Sequence, residues 1–411
     1  LLVSRPRLLF VSPRFLFPLD EGGKIRTVGI LRAMQGGAFD VTLVSPAPPD
    51  VARFRDELKS VAERFISWPQ RTPGLVERAL GVLGQLPVST VSDQSATGRT
   101  VVQEQLAVGT DVLVADFPHS AVLLPPAPGV ASVMFTHNVE AEILERHAAQ
   151  AQGWRRAVWR REARKMLAFE AATLKAFTEV VAVSDRDARA LAARYGLAHV
   201  SRIDTGVDLD YYPYADPRAE LGTPGVPGTI VFAGAMDSRS NIDGIEFLLR
   251  DIWPLVLARR PGTRMKIVGR NPPAALVAEA ARTQGWSFTG FVDDTRPHLR
   301  EGDISAIPLR VGSGTRLKAF EAMAMGLPVV STTLGVEGLG LEPGHDYAAA
   351  DTAGAFADAI VGLLNDQAAR RRLAESGRAL LEARYSWKVI GRQFEKICLE
   401  TRARSPAQHN G

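Results

Sequence analysis

The sequence predicts an α/β protein made of two doubly wound domains, each a parallel sheet wrapped by crossover helices. Three observations carry this. Short apolar runs alternate with helical stretches along the whole chain, the pattern of strand–helix–strand units. The alternation starts afresh after an interval rich in proline and glycine. At 411 residues the chain exceeds what one simple core organises.

The first half offers strands at Leu8-Leu9-Phe10-Val11, Val41-Thr42-Leu43-Val44, Val112-Leu113-Val114-Ala115, Ser132-Val133-Met134-Phe135 and Val180-Val181-Ala182-Val183. The interval 118–128, with Pro125, Pro126 and Pro128, reads as a loop inside this half. The boundary falls within 204–227, where Pro213, Pro217, Pro224 and Pro227 accompany Gly222 and Gly225. Strands resume at Ile230-Val231-Phe232-Ala233, Met265-Lys266-Ile267-Val268, Ser287-Phe288-Thr289-Gly290, Ile304-Ser305-Ala306-Ile307 and Val329-Val330-Ser331. The expected domains are 1–207 and 208–385, followed by an amphipathic helix at about 386–400.

Composition narrows the function classes. Hydrophobic residues make up 46% and charged residues 23%, ordinary proportions for a globular protein. The net charge of +4 and pI near 9.3 suit a small anionic ligand or a lipid surface and argue against nucleic acid. A single cysteine, Cys398, excludes an internal disulfide framework and cysteine-rich metal sites, which fits a reducing compartment. No run reaches the roughly 18–20 apolar residues of a membrane span. The amino terminus enters a strand without a small-residue cleavage site, so a cytoplasmic location is expected.

The most informative segment is 310–333. Its glycine-rich turn, Gly312-Ser313-Gly314, opens a helix carrying Arg316, Lys318 and Glu321, which ends at Gly326 before the strand Val329-Val330-Ser331. Bare amides at a helix start, backed by cations, make an anion site. Lys318 and Glu321 share a helix face, separated by roughly 4.5 Å of rise. A phosphate at Lys318 then sets an attached sugar hydroxyl near Glu321.

The segment resembles the donor-binding motif of the family 4 (group 1) retaining glycosyltransferases. Glu321 and the following Ala322-Met323-Ala324-Met325-Gly326-Leu327-Pro328-Val329-Val330 stand in that family's register. Ser313 occupies the place of the family's first glutamate, and Gly312 to Lys318 are similar to a branch with Gly-x-Gly-Thr-Arg-x-Lys there. The resemblance implies the GT-B fold, two Rossmann-like domains facing across a cleft with a terminal helix returning to the first. It implies donor contacts from Gly314, Thr315, Leu317 and Glu321, and no metal or resident cofactor. Most members carry an Arg and then a Lys after the first strand of the second domain; this chain has Ala235 and Asn241 near those places. Arg239, Arg316 and Lys318 are the candidates to supply the missing charge, because a departing diphosphate requires cations.

Other positions join the expected site. Gly22 and Gly23 precede a helix with Lys24 and Arg26, where backbone can approach a ligand closely. His137, in Thr136-His137-Asn138, ends a strand, and the resemblance places it near the transferred sugar as a catalytic or acceptor-positioning group. Glu140 and Glu142, and separately Ser184, read as helix-start residues. Gly234 opens the loop after the first strand of the second domain. Gly290, Phe291 and Val292 are expected to bracket a uracil or guanine of a UDP- or GDP-linked donor. Asp293 and Asp294 read as caps rather than metal ligands.

The run Trp154-Arg155-Arg156-Ala157-Val158-Trp159-Arg160-Arg161 has two readings. It is either a helix resting on anionic lipid, or a solvated basic face with its tryptophans packed inside. The dinucleotide fingerprint fails, since Leu317 stands where a third glycine is required, and no P-loop is present. The resemblance therefore implies a sugar transfer with retention from a nucleotide sugar to a sugar, lipid-linked or small-molecule acceptor, in surface polysaccharide or glycolipid assembly, either in the cytoplasm or peripherally on the inner face of the membrane. A catalytically weak protein of the same fold that binds a nucleotide sugar or a partner chain, and a sugar-nucleotide epimerase, are the alternatives.

Overall fold

A computed structural model describes residues 5–71, 74, 81–221, 226–311 and 316–404. Two compact units divide the chain, one formed by Leu1–Gly206 with Trp387–Gly411 and the other by Val207–Ser386.

The first unit holds a seven-stranded, all-parallel sheet in the order β3-β2-β1-β4-β5-β6-β7. Its strands are β1 (Arg7–Val11), β2 (Asp40–Ala47), β3 (Arg64–Pro69), β4 (Val112–Asp116), β5 (Ala131–Phe135), β6 (Glu179–Ala182) and β7 (Val200–Arg202). The central β4 and β5 are buried along their whole length, which is why they read as unbroken apolar runs. The second unit repeats the scheme with six strands in the order β10-β9-β8-β11-β12-β13. These are β8 (Thr229–Ala233), β9 (Arg264–Val268), β10 (Trp286–Phe288), β11 (Ile304–Ile307), β12 (Val329–Ser331) and β13 (Ala348–Ala349). In each sheet the order reverses once, between β1 and β4 and between β8 and β11. Open α/β sheets bind ligands beyond the carboxyl ends of the strands at that switch point.

All ten strands expected from apolar runs form. The unforeseen ones, β3, β7 and β13, all lie at sheet edges. An edge strand has a neighbour on one side only and needs less apolar sequence; in β3 only Trp68 is buried, and the strand closes on Pro69. Part of the expected 118–128 loop winds instead into a 3₁₀ turn, Pro118–Leu123.

The Trp387–Arg404 helix belongs to the first unit. Ile390, Phe394 and Cys398, four residues apart, form its fully buried stripe, and the Phe394 ring lies 5.3 Å from that of Phe135 in β5. Its first residue, Trp387, seats its indole on Gly29 and Gly206, where an added Cβ would come within 2.4 Å of the ring.

Candidate functional site

At the first switch point the site grows from the end of β4. Asp116 is fully buried, and its carboxylate accepts from Thr27 Oγ1 at 3.1 and 3.2 Å and from Ser12 Oγ at 3.1 Å. His137 Nε2 lies 2.7 Å from Asp116 Oδ1, and its Nδ1 lies 2.9 Å from Arg26 Nη1. A guanidinium only donates, so Nδ1 accepts and the neutral ring carries its proton on Nε2, which donates to Asp116. Arg26 also donates twice to Thr205 Oγ1, at 3.1 and 3.0 Å.

Burial sets the charge states. Desolvation draws the Arg26 guanidinium down to about 10, against the pull of Asp116, and leaves it charged at neutral pH. Desolvation also draws His137 below the usual imidazole range, although Asp116 opposes the shift, so the ring is neutral. The Phe117 ring stacks on His137 with centroids 3.9 Å apart. Phe117 has φ 66° and ψ 149°, a region nearly reserved for glycine, and a Cβ on Gly23 would stand 2.6 Å from its ring.

These contacts revise several expectations. His137 is buried with both nitrogens engaged, so in this arrangement it has no proton or lone pair to offer a substrate. It holds Asp116 and Arg26 in place instead. Arg26 is likewise internal, and Lys24 pairs with Asp20 at 2.8 Å, so neither adds charge for a ligand. Gly22 is exposed at the start of the Gly22–Met34 helix, while Gly23 serves the approach of Phe117. The helix after His137, Glu140–Gln150, is capped by the fully buried Glu170, not by its own glutamates. The Glu170 carboxylate accepts from the amides of Glu140 and Ala141, both at 2.9 Å, and from Tyr195 Oη at 2.7 Å. Ser184 caps the Asp185–Tyr195 helix as expected, accepting from the Asp187 amide at 3.0 Å.

The second switch point differs. Pairing between β8 and β11 covers only Ile230 with Ile304 and Val231 with Ser305, so the carboxyl-terminal residues of the two strands part. The Lys318 ammonium lies beside the end of β8. It donates to Asn241 Oδ1 at 2.7 Å and stands 4.3 Å from the centre of the Phe232 ring. Asn241 is fixed in turn by donating to the Ala235 carbonyl at 2.8 Å. A Cβ on Gly234 would stand 2.9 Å from Asn241 Nδ2 and 3.0 Å from Lys318 Nζ, so a larger residue there would push on this pair.

Desolvation draws Lys318 down to about 8, reinforced by the charge of Arg316 and opposed by Glu321. Arg316, at the amino-terminal cap of the Leu317–Ala324 helix, is 6% exposed and sits in the field of Glu337. Neither cation is therefore an ordinary surface charge. Glu321, one turn on, is partly buried and hydrogen-bonded to the Tyr212 hydroxyl; burial raises its pKa and that bond lowers it.

Gly234, Lys318 and Asn241 are thus brought together, with Arg316, Leu317 and Glu321 on the adjoining helix. Gly290, Phe291 and Val292 follow β10, two strands away at the same end of the sheet; Gly290 has φ 72° and Phe291 is 70% exposed. Arg239 is exposed at the start of the Arg239–Phe247 helix. Gly314 and Thr315, with Gly312 and Ser313, lie outside the described residues. The amino-terminal cap of the Arg296–Arg300 helix is Thr295 and not the expected Asp293 or Asp294; Asp294, one residue earlier, accepts the Arg296 amide at 2.9 Å and grips its guanidinium. Sequence reading missed Asp116, Glu170 and Tyr212. A charged residue closing the apolar run of β4 was a usable signal for Asp116; nothing local ties Tyr212 to Glu321.

Comparison with known proteins identifies the kin of the chain. Residues 227–366 match the family described as Glycosyl transferases group 1, and residues 21–211 match Glycosyltransferase Family 4. The chain is 32% identical over 223 residues to a phosphatidyl-myo-inositol mannosyltransferase of Mycobacterium leprae, covering 53% of this chain and 58% of that one. It is 31% identical over 234 residues to a D-inositol 3-phosphate glycosyltransferase of Catenulispora acidiphila, covering 51% and 53%. The chain thus spans about half the length of these relatives. In three dimensions it resembles sucrose-phosphate synthase of Thermosynechococcus elongatus, with TM-score 0.66, 20% identity and coverage of 98% and 100%. It also resembles Anabaena HepE in complex with UDP, with TM-score 0.65, 15% identity and coverage of 96% and 100%. At such identities these two establish the fold, GT-B.

Proposed function

Because the chain belongs to the group 1 glycosyltransferases, we propose that it transfers a sugar, with retention and without a bound metal, from a nucleoside-diphosphate donor to an acceptor hydroxyl. The observation that carries this reading is the seat of Lys318. Its ammonium meets Asn241, near where the resembled family pattern carries a lysine, so the cation reaches the end of β8 from a different element.

In this reading the donor diphosphate lies against Gly234 with Lys318 and Arg316 as its cations. Arg239 adds charge from the loop after β8. Glu321 accepts from the ribose with the capacity that Tyr212 leaves it, and Gly290, Phe291 and Val292 border the base. As the bond from the sugar's anomeric carbon to the diphosphate oxygen breaks, negative charge grows on the leaving phosphate, and fixed cations in a partly desolvated site stabilise it most. The acceptor oxygen bonds to the anomeric carbon on the face the diphosphate leaves, and its proton passes to a leaving phosphate oxygen. In the first unit, Gly22 and Gly23 at a helix start are the candidates to meet the acceptor, with His137 as an internal support. The names of the relatives favour a glycolipid, inositol or polysaccharide acceptor.

A thermal-shift panel of UDP- and GDP-linked sugars tests the donor. The true donor at a hundredfold excess over its Kd stabilises the protein by about 2.7 kcal/mol. Transfer in the presence of acceptor must then give a product with the donor's anomeric configuration. An inverted product removes the retaining mechanism, and binding without transfer or hydrolysis replaces the enzyme with a nucleotide-sugar-binding protein.

A further inference from the structure

The 23-residue helix Gly153–Lys175 packs against Glu140–Gln150, yet its first turns carry side chains that neither helix uses. Trp159 does turn inward, stacking on His147 with centroids 4.9 Å apart. Trp154 does not: it is 73% exposed, with the Arg155 guanidinium 5.7 Å from its ring. Seven residues on, Arg161 falls on the same line of the helix as Trp154. It donates to the Val82 carbonyl at 3.0 Å and the Leu83 carbonyl at 2.9 Å, which fixes Leu83, 74% exposed, along that line. Trp154 and Leu83 are the two most exposed large apolar side chains among the described residues.

The neighbouring line is cationic. Arg156, Arg160 and Arg164, spaced four apart, rim a groove of about 360 Å³ floored by Ala148, Ala149, Ala163 and Leu167. Glu145 also lines it, with its carboxylate paired to Arg194. Within 153–165 the one acidic residue is Glu162, which is buried and held by Lys165 at 2.6 Å. Five exposed arginines therefore face outward with no acid among them on this stretch. A solvated basic face accounts for the arginines but not for a tryptophan and a leucine held out beside them.

We propose that this face docks on an anionic phospholipid bilayer. Trp154 and Leu83 enter the headgroup boundary, where an amphipathic ring is best accommodated. The arginines take the lipid phosphates. The groove receives one headgroup, its phosphate on the arginine rim and its first methylenes on the alanine and leucine floor. The match is of charge and polarity together: an anionic surface with apolar material beneath it.

The test is flotation of the full chain with vesicles of phosphatidylglycerol and phosphatidylcholine, against phosphatidylcholine alone. The protein floats with the mixed vesicles, and less so as salt rises. Joint replacement Arg156→Gln, Arg160→Gln and Arg164→Gln lowers partition on the order of a hundredfold, about fivefold for each basic residue near the surface. Tryptophan emission shifts to the blue on binding, and Trp154→Phe abolishes most of that shift while still floating, which guards against misfolding of the triple variant. Equal flotation with neutral vesicles, wild-type flotation of the triple variant, or absence of the blue shift overturns the proposal. So does equal binding to a soluble polyanion such as heparin without any change in emission. None of these readouts requires sugar transfer, so they stand apart from the catalytic reading.

Discussion

β1 stays paired with β4 through its last residue, Val11 opposite Ala115, whereas β8 and β11 separate after Val231 and Ser305. The polar groups beyond the strands follow suit. At the first switch point Asp116, His137, Arg26, Thr27, Ser12 and Thr205 bond to one another and are all buried. At the second, Lys318 and Glu321 each retain partial exposure, and the lysine touches one oxygen and one aromatic face. The same topological position is closed in one sheet and open in the other. A saturated network holds a framework together, while groups with unspent hydrogen-bonding capacity and shifted charge are those fit to take a ligand.

The contrast breaks most readily at Arg26. Arg26→Met leaves His137 Nδ1 and the Asp116 charge without their cation and should cost about 3–5 kcal/mol of stability. Urea unfolding measures it, and UDP binding to the second unit should be unaffected at temperatures where the variant is folded. A variant as stable as wild type would show that the first network is not structural.

Lys318→Met should act in the opposite sense. It removes a partly buried charge and leaves stability unchanged or higher, while lowering kcat/KM by about 10²–10³-fold, the usual loss when one transition-state donor is deleted. Steady-state kinetics with the donor found by thermal shift reads this directly. Wild-type turnover in Lys318→Met and in Arg316→Ala would remove both from the donor site.

The smallest effect is on pH. The Lys318 pKa is lowered to about 8, so the ammonium is fully charged well below that pH and neutral well above it. Affinity for UDP, measured by calorimetry, should be flat below pH 8 and weaken by up to about tenfold per unit above it. Lys318→Met should bind weakly and flatly across that range; a retained slope would assign it to another group.

Much of the architecture was legible because the features that encode it are local. The buried central strands of both sheets show as apolar runs, and the Ser184 cap and the Lys318–Glu321 spacing are set within a few residues. Edge strands such as β7, with three residues and one neighbour, leave no such trace. The membrane-facing reading of the 154–161 run could not be separated from an inward one, because a helical period alone does not say which face finds a neighbour.

The sequence by itself determined the alternation of strand and helix, the two sheets, the family motif after 316 and the cation-then-carboxylate spacing of the donor helix. The tertiary structure alone decided that His137 is sealed and Lys318 is not, that Glu170 caps a distant helix, that Tyr212 holds Glu321, and that Trp154 stays outside. Those outcomes depend on partners far apart in the chain: Arg26 meets His137 across 111 residues and Thr205 across 179. Burial and hydrogen-bond saturation follow from such long-range contacts, and no local pattern carries them.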